Sequence, residues 1–207
     1  MNLILIRHPR TVALQQRLIY GQSESDLTEE GKATIELVAE RLARETPAAI
    51  YSSPLKRCLV MAEAAAARHE GLDVQIEPRI IELSCGVYES TTFEEALAMG
   101  GEDAHRFVYE FASYRPKGGE NFDDLKARTG EFLDELASKE TEFDGKPVLL
   151  FTHGIAIRAM LSNLLGLSME QLWHINVEPS NIVRIDYDPE HAFGRLIGLE
   201  DPDRFTI

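Results

Sequence analysis

Val148-Leu149-Leu150-Phe151 is an unbroken apolar run closed by Thr152, and helical periodicity resumes at Gly154 after a single intervening residue. A strand apolar on both faces must be covered on both, as in the parallel sheets of α/β proteins. The rest of the chain repeats the pattern, with Asn2 to Ile6, Ala48 to Ser53 and Val74 to Glu77 reading as strands separated by helical stretches. Thr28 is a helix cap followed by Glu29 and Glu30, with Ile35, Val38, Ala39 and Leu42 as the buried stripe. Ser53 is the expected cap of the next helix, with Pro54 at its first position and the alanine-rich run continuing to Arg68. A long amphipathic helix is expected over Asn121 to Lys139, a further helix over Gly154 to Leu165, and closing strands over Ile182 to Tyr187 and Arg195 to Leu199. These elements predict an α/β fold in three layers, a mainly parallel sheet flanked by helices. With neither repeat nor linker, residues 1–207 read as a single domain. The alternation lapses only between Thr91 and Lys117, where Phe107, Tyr109, Phe111 and Tyr114 suggest a short helical insertion over the sheet.

The chain carries 21 basic and 35 acidic residues, a formal charge of -14, which at long range opposes nucleic acid and anionic membrane surfaces. No segment approaches the ~20 apolar residues of a membrane span, and Leu3 to Ile6 is interrupted too early for a signal peptide, so a cytoplasmic protein is expected. Cys58 and Cys85 lack metal-type spacing and read as reduced thiols.

Three strands end on polar chemistry: the first on Arg7-His8, the second on Ser52-Ser53 with Arg57 close behind, the third on Thr152-His153-Gly154. In open α/β sheets ligands bind at the carboxyl ends of strands, so these groups could share a site. Pro9 restricts His8 to extended geometry. Lys56 and Arg57 put positive charge in a helix's first turn, which the dipole disfavours by ~0.3 to 1 kcal/mol unless an anion binds there. A metal site lacks further ligands at workable spacing, a serine hydrolase lacks its Gly-x-Ser-x-Gly elbow, and no Walker or dinucleotide glycine loop is present.

Six blocks, "LIRHPRT", "YGQSESDLTEEGK", "IYSSPLKRCLVMAE", "IIELSCGVYES", "PKGGENFDDLKAR" and "LLFTHGIAIRAML", resemble in order the motifs of the histidine phosphatase superfamily, whose fold is phosphoglycerate-mutase-like. The resemblance implies that His8 is the nucleophile, that Arg7, Arg57 and His153 form the phosphate pocket with His153 in the catalytic set, and that Glu82 is the proton donor. Thr11 and Gln22 are further substrate-binding candidates, and Gln15, Gln16 or Gln22 could substitute for the phosphate-binding asparagine that mutase-like members often carry where this chain has Leu14. It implies a metal-independent phosphomonoesterase without a cofactor, acting on a small phosphorylated metabolite through a phosphohistidine. "YGQS" resembles the α-ribazole phosphatase branch, which would make α-ribazole 5'-phosphate the substrate. Two alternatives share the fold: a cofactor-dependent phosphoglycerate mutase and a non-catalytic phosphate-binding module. The insertion offers His105, Arg106, Tyr109, Tyr114 and Arg115 for recognising the leaving group. The chain departs from the family pattern at Pro9, commonly Gly, at Leu14, often Asn, at Val60-Met61, frequently Gln-Thr, and at Ser90, frequently Gly. Nothing in the residues sets the oligomeric state.

Overall fold

The structure, a computed structural model, describes residues 1–110 and 112–202, so that Phe111 of the insertion and residues 203–207 lie outside the described residues. In chain order the elements are β1 (Asn2–Arg7), α1 (Val12–Gln15), β2 (Leu18–Ile19), α2 (Glu29–Leu42), β3 (Ala49–Ser52), α3 (Lys56–Ala66) and β4 (Val74–Ile76). There follow β5 (Thr91–Thr92), α4 (Phe93–Ala98), α5 (Gly101–Tyr109), α6 (Phe122–Ser138), β6 (Val148–Thr152), α7 (Gly154–Leu165), α8 (Met169–Leu172), β7 (Ile182–Asp188) and β8 (Phe193–Glu200).

Six strands form one sheet in the order β4-β3-β6-β1-β7-β8. The pairs β3–β4, β3–β6 and β1–β6 are parallel, while β7 and β8 close the sheet antiparallel. Strand alternation divides the core. Leu3 and Leu5 of β1 with Val148 and Leu150 of β6 pack under α6 and α7, whereas Ile4, Ile6, Leu149 and Phe151 pack against α2 and α3. Both faces of the central strands are thus buried, as the apolar run at 148–151 requires.

Helix α3 begins later than expected. Its N-cap is Leu55, without a side-chain cap bond, and Glu24 accepts the Lys56 amide at 3.0 Å instead. The Ser53 hydroxyl accepts the Leu55 amide only at 3.4 Å and lies 2.7 Å from His153 Nε2. In α2, Thr28 caps as expected, but Ile35 is only partly buried and Thr34 joins Val38, Ala39 and Leu42 inside. The insertion is not purely helical: β5 pairs antiparallel with β2, and α4 and α5 build a satellite core in which Phe107 stacks on Tyr88 at 4.2 Å.

Candidate active site

Because β6 lies between β1 and β3 in a parallel arrangement, their carboxyl ends meet at one edge. Arg7 is in register with Thr152, and Ser52 with Phe151. The ladder continues past the strands, with the His8 amide donating to Thr152 O and the Ser53 amide to Phe151 O, both at 2.9 Å. His8 and His153 therefore emerge side by side, their ring centroids 5.2 Å apart.

His8 is buried, and its Nδ1 lies 2.7 Å from the Pro9 carbonyl oxygen. A carbonyl only accepts, so the hydrogen sits on Nδ1 and the lone pair is on Nε2. Burial, and then the positive charges of Arg7 and Arg57, hold the imidazole well below the ordinary histidine range, which keeps it neutral near pH 7. Pro9, the residue that offers no amide, thus fixes the tautomer through its oxygen.

Arg57 is fully buried and spans three acceptors: Gly21 O at 2.6 Å, Ser23 O at 2.7 Å and His153 Nδ1 at 3.2 Å. None of the three is an anion. Gly21 allows this approach of the 20–23 loop, since a Cβ there would lie 1.9 Å from Leu83 O. Arg7 donates to Val177 O at 2.6 Å, and its Nε has no partner. Its guanidinium packs over Gly154, where a Cβ would come within 3.2 Å of Arg7 Cζ.

Glu82 is held by both oxygens. Oε1 accepts the amides of Leu83 at 2.8 Å and Ala156 at 3.1 Å, and Oε2 accepts that of Ile155 at 3.1 Å. The carboxylate thereby caps α7, whose N-cap residue His153 makes no side-chain cap bond. The backbone before Glu82 is clamped by Arg128 of α6, which donates to the carbonyls of Arg79, Ile81 and Glu82 and pairs with Glu120.

Arg7, His8, Arg57 and Glu82 line one cavity of about 300 Å³ together with Tyr20, Arg158 and an apolar wall that includes Phe93, Phe107 and Trp173. The other expected site residues lie around it. Because Arg57 donates to His153 Nδ1, the proton of neutral His153 is on Nε2, directed at Ser53 Oγ, and the ring does not line the cavity. Thr11 caps α1 and donates to Tyr20 Oη at 2.9 Å, and Gln22 donates to Glu82 O at 3.0 Å; neither lines the cavity. Among the insertion residues singled out for recognition, His105 contacts Tyr109, Arg106 pairs with Glu110, Tyr114 is buried and Arg115 pairs with Asp124; Phe93 and Phe107 face the cavity in their place. Arg128 and Arg158 were not anticipated as site residues, although Arg158 carried a signal as the lone charge in an otherwise apolar helix. Cys58 and Cys85 are free and buried, and burial pushes both thiols up. Among the described residues no three His, Cys, Asp or Glu side chains are grouped to hold a metal ion.

The model of the histidine phosphatase superfamily, branch 1, matches residues 3–199. The chain belongs to this superfamily. It is 34% identical over 174 residues to phosphoserine phosphatase 1 of Hydrogenobacter thermophilus, covering 84% of this chain and 80% of that one. It is 33% identical over 175 residues to the glucosyl-3-phosphoglycerate phosphatase of Mycolicibacterium vanbaalenii, covering 82% and 76%. The structure of the α-ribazole phosphatase from Shigella flexneri superposes with a TM-score of 0.87 at 23% identity, covering 98% of this chain and 97% of that one, a likeness of fold. The α/β, phosphoglycerate-mutase-like architecture and phosphomonoester hydrolysis are therefore those of the superfamily. No helix among the described residues is long and apolar enough to cross a membrane.

Proposed function

We propose that the protein hydrolyses a small phosphorylated metabolite through a phosphohistidine on Nε2 of His8, with guanidinium groups and not a metal ion supplying the positive charge. The observation that carries this reading is the state of His8: neutral, with its lone pair on Nε2, on the wall of a cavity shared with Arg7, Arg57 and Glu82. Phosphoryl transfer needs mainly positioning and charge stabilisation. Arg7 and Arg57 take the non-bridging oxygens, Nε2 bonds to phosphorus in line, and the ester P–O bond breaks. Glu82 gives its proton to the departing oxygen. Water then attacks phosphorus and returns a proton to Glu82, releasing phosphate and neutral His8. His153, with Ser53 behind it, orients Arg57. The names of the relatives point to phosphoserine and glucosyl-3-phosphoglycerate as substrates of this type, whereas likeness to the α-ribazole phosphatase extends to the fold only.

General acid catalysis contributes ~10² to 10⁴ in rate when the leaving group is a poor one. In single-turnover phosphorylation, Glu82→Gln should therefore slow an alkyl phosphate far more than p-nitrophenyl phosphate, whose anion leaves unaided. Equal losses on the two would show that Glu82 orients phosphate and is not the acid.

A further inference from the structure

Three guanidiniums line the cavity, and the proposed chemistry uses two of them. The third, Arg158, is only 6% exposed. It donates to Gly154 O at 3.0 Å and Ile175 O at 3.2 Å and lies over the Trp173 ring at 4.6 Å, while its buried Nε has no partner. None of those partners carries a negative charge. Burying the cation is costly and Arg7 beside it adds repulsion, while Glu82 and Glu178 attract it from a distance without forming an ion pair.

The placement separates Arg158 from the phosphate groups. Arg57 donates inward to buried carbonyls, whereas Arg158 is fixed to Trp173, which is 52% exposed and belongs to the outer wall. Arg7 and Arg158 both adjoin Gly154, Arg7 packing where its Cβ would stand and Arg158 bonded to its carbonyl. Their other contacts, Val177 O and Ile175 O, are on one segment, so both forks are pre-set by the same backbone. Among the described residues of the outer wall the one acid, Glu178, is exposed and already accepts from Asn176 Nδ2 at 2.8 Å.

We propose that Arg158 is a specificity residue that binds a carboxylate on the leaving group, so that the preferred substrate is a phosphate ester of a hydroxy acid. A planar fork with donors to spare matches a carboxylate in shape and charge, and water exclusion around it strengthens the bond. The proposal rests on the phosphatase reading above and deepens it.

Substrate pairs differing in that one group test it: 3-phosphoglycerate against glycerol 3-phosphate, and O-phosphoserine against O-phosphoethanolamine. The wild-type enzyme should prefer the carboxylate member by about tenfold or more in kcat/KM, as expected for a charge-assisted bond. Arg158→Met should bring both ratios to about one, and Arg158→Lys, which keeps the charge and loses the fork, should retain part of the preference. Each ratio is read within one protein sample, so partial unfolding of a variant cancels. No preference in the wild type, or a preference undiminished in Arg158→Met, overturns the proposal while leaving the phosphatase reading intact. Absence of turnover on every ester, p-nitrophenyl phosphate included, overturns both.

Discussion

At the scale of single residues, the site depends on which atoms carry hydrogen. His8 is committed to one tautomer by a carbonyl, and His153 to the opposite one by a guanidinium. Neither assignment is legible in the sequence, because Pro9 reads there as a lost amide donor while its function is carried by its oxygen. Ser90 is a backbone case. Its φ is +64°, the left-handed region that disfavours a Cβ. Its amide donates to Ile19 O at 2.6 Å, so the turn into β5 is held against that preference. Ser90→Gly should therefore raise stability by about 0.5–1 kcal/mol, the relief of strain exceeding the added unfolded-chain entropy. Urea unfolding reads this directly, and a loss of stability would show that the serine makes a compensating contact.

Among the elements, those defined by burial were legible and those defined by side-chain competition were not. Val148 to Thr152 and Gly154 to Leu165 match their expected bounds, because an apolar strand between two covered faces has one solution. The start of α3 does not, because the Ser53 hydroxyl that would cap it faces His153. In the insertion, charged and aromatic residues pair with one another while Phe93 and Phe107 turn to the cavity, and no local pattern marks that choice. Helix α7 links stability to chemistry. Its free amides at Ile155 and Ala156 are satisfied by Glu82, a residue more than 70 positions earlier. Glu82→Gln should thus lower stability by about 1–2 kcal/mol, apart from its effect on the proposed proton transfer, since an amide NH₂ would face one of those donors. An unchanged unfolding midpoint would mean that the cap is dispensable.

For the whole molecule, the two histidines make stability depend on pH. Burial first, then Arg7 and Arg57 for His8, and Arg57 and His8 for His153, hold both rings well below the ordinary range. Below about pH 6.5 the unfolded chain takes up protons that the folded chain refuses, so stability is full above that pH and falls as pH drops. Two such groups give a slope of up to about 2.7 kcal/mol per pH unit. Urea unfolding at pH 7.5, 6.5 and 5.5 should show that decline, and a flat profile would mean that the rings ionise freely in the fold. The same neutrality is what the proposed nucleophilic role of His8 requires, and trapping the covalent intermediate tests that role most directly. With a phosphate-labelled substrate quenched rapidly in alkali, the account predicts an acid-labile, alkali-stable label that peptide mapping assigns to His8. A label on another residue, or no phosphoenzyme together with substantial turnover by His8→Ala, would contradict it.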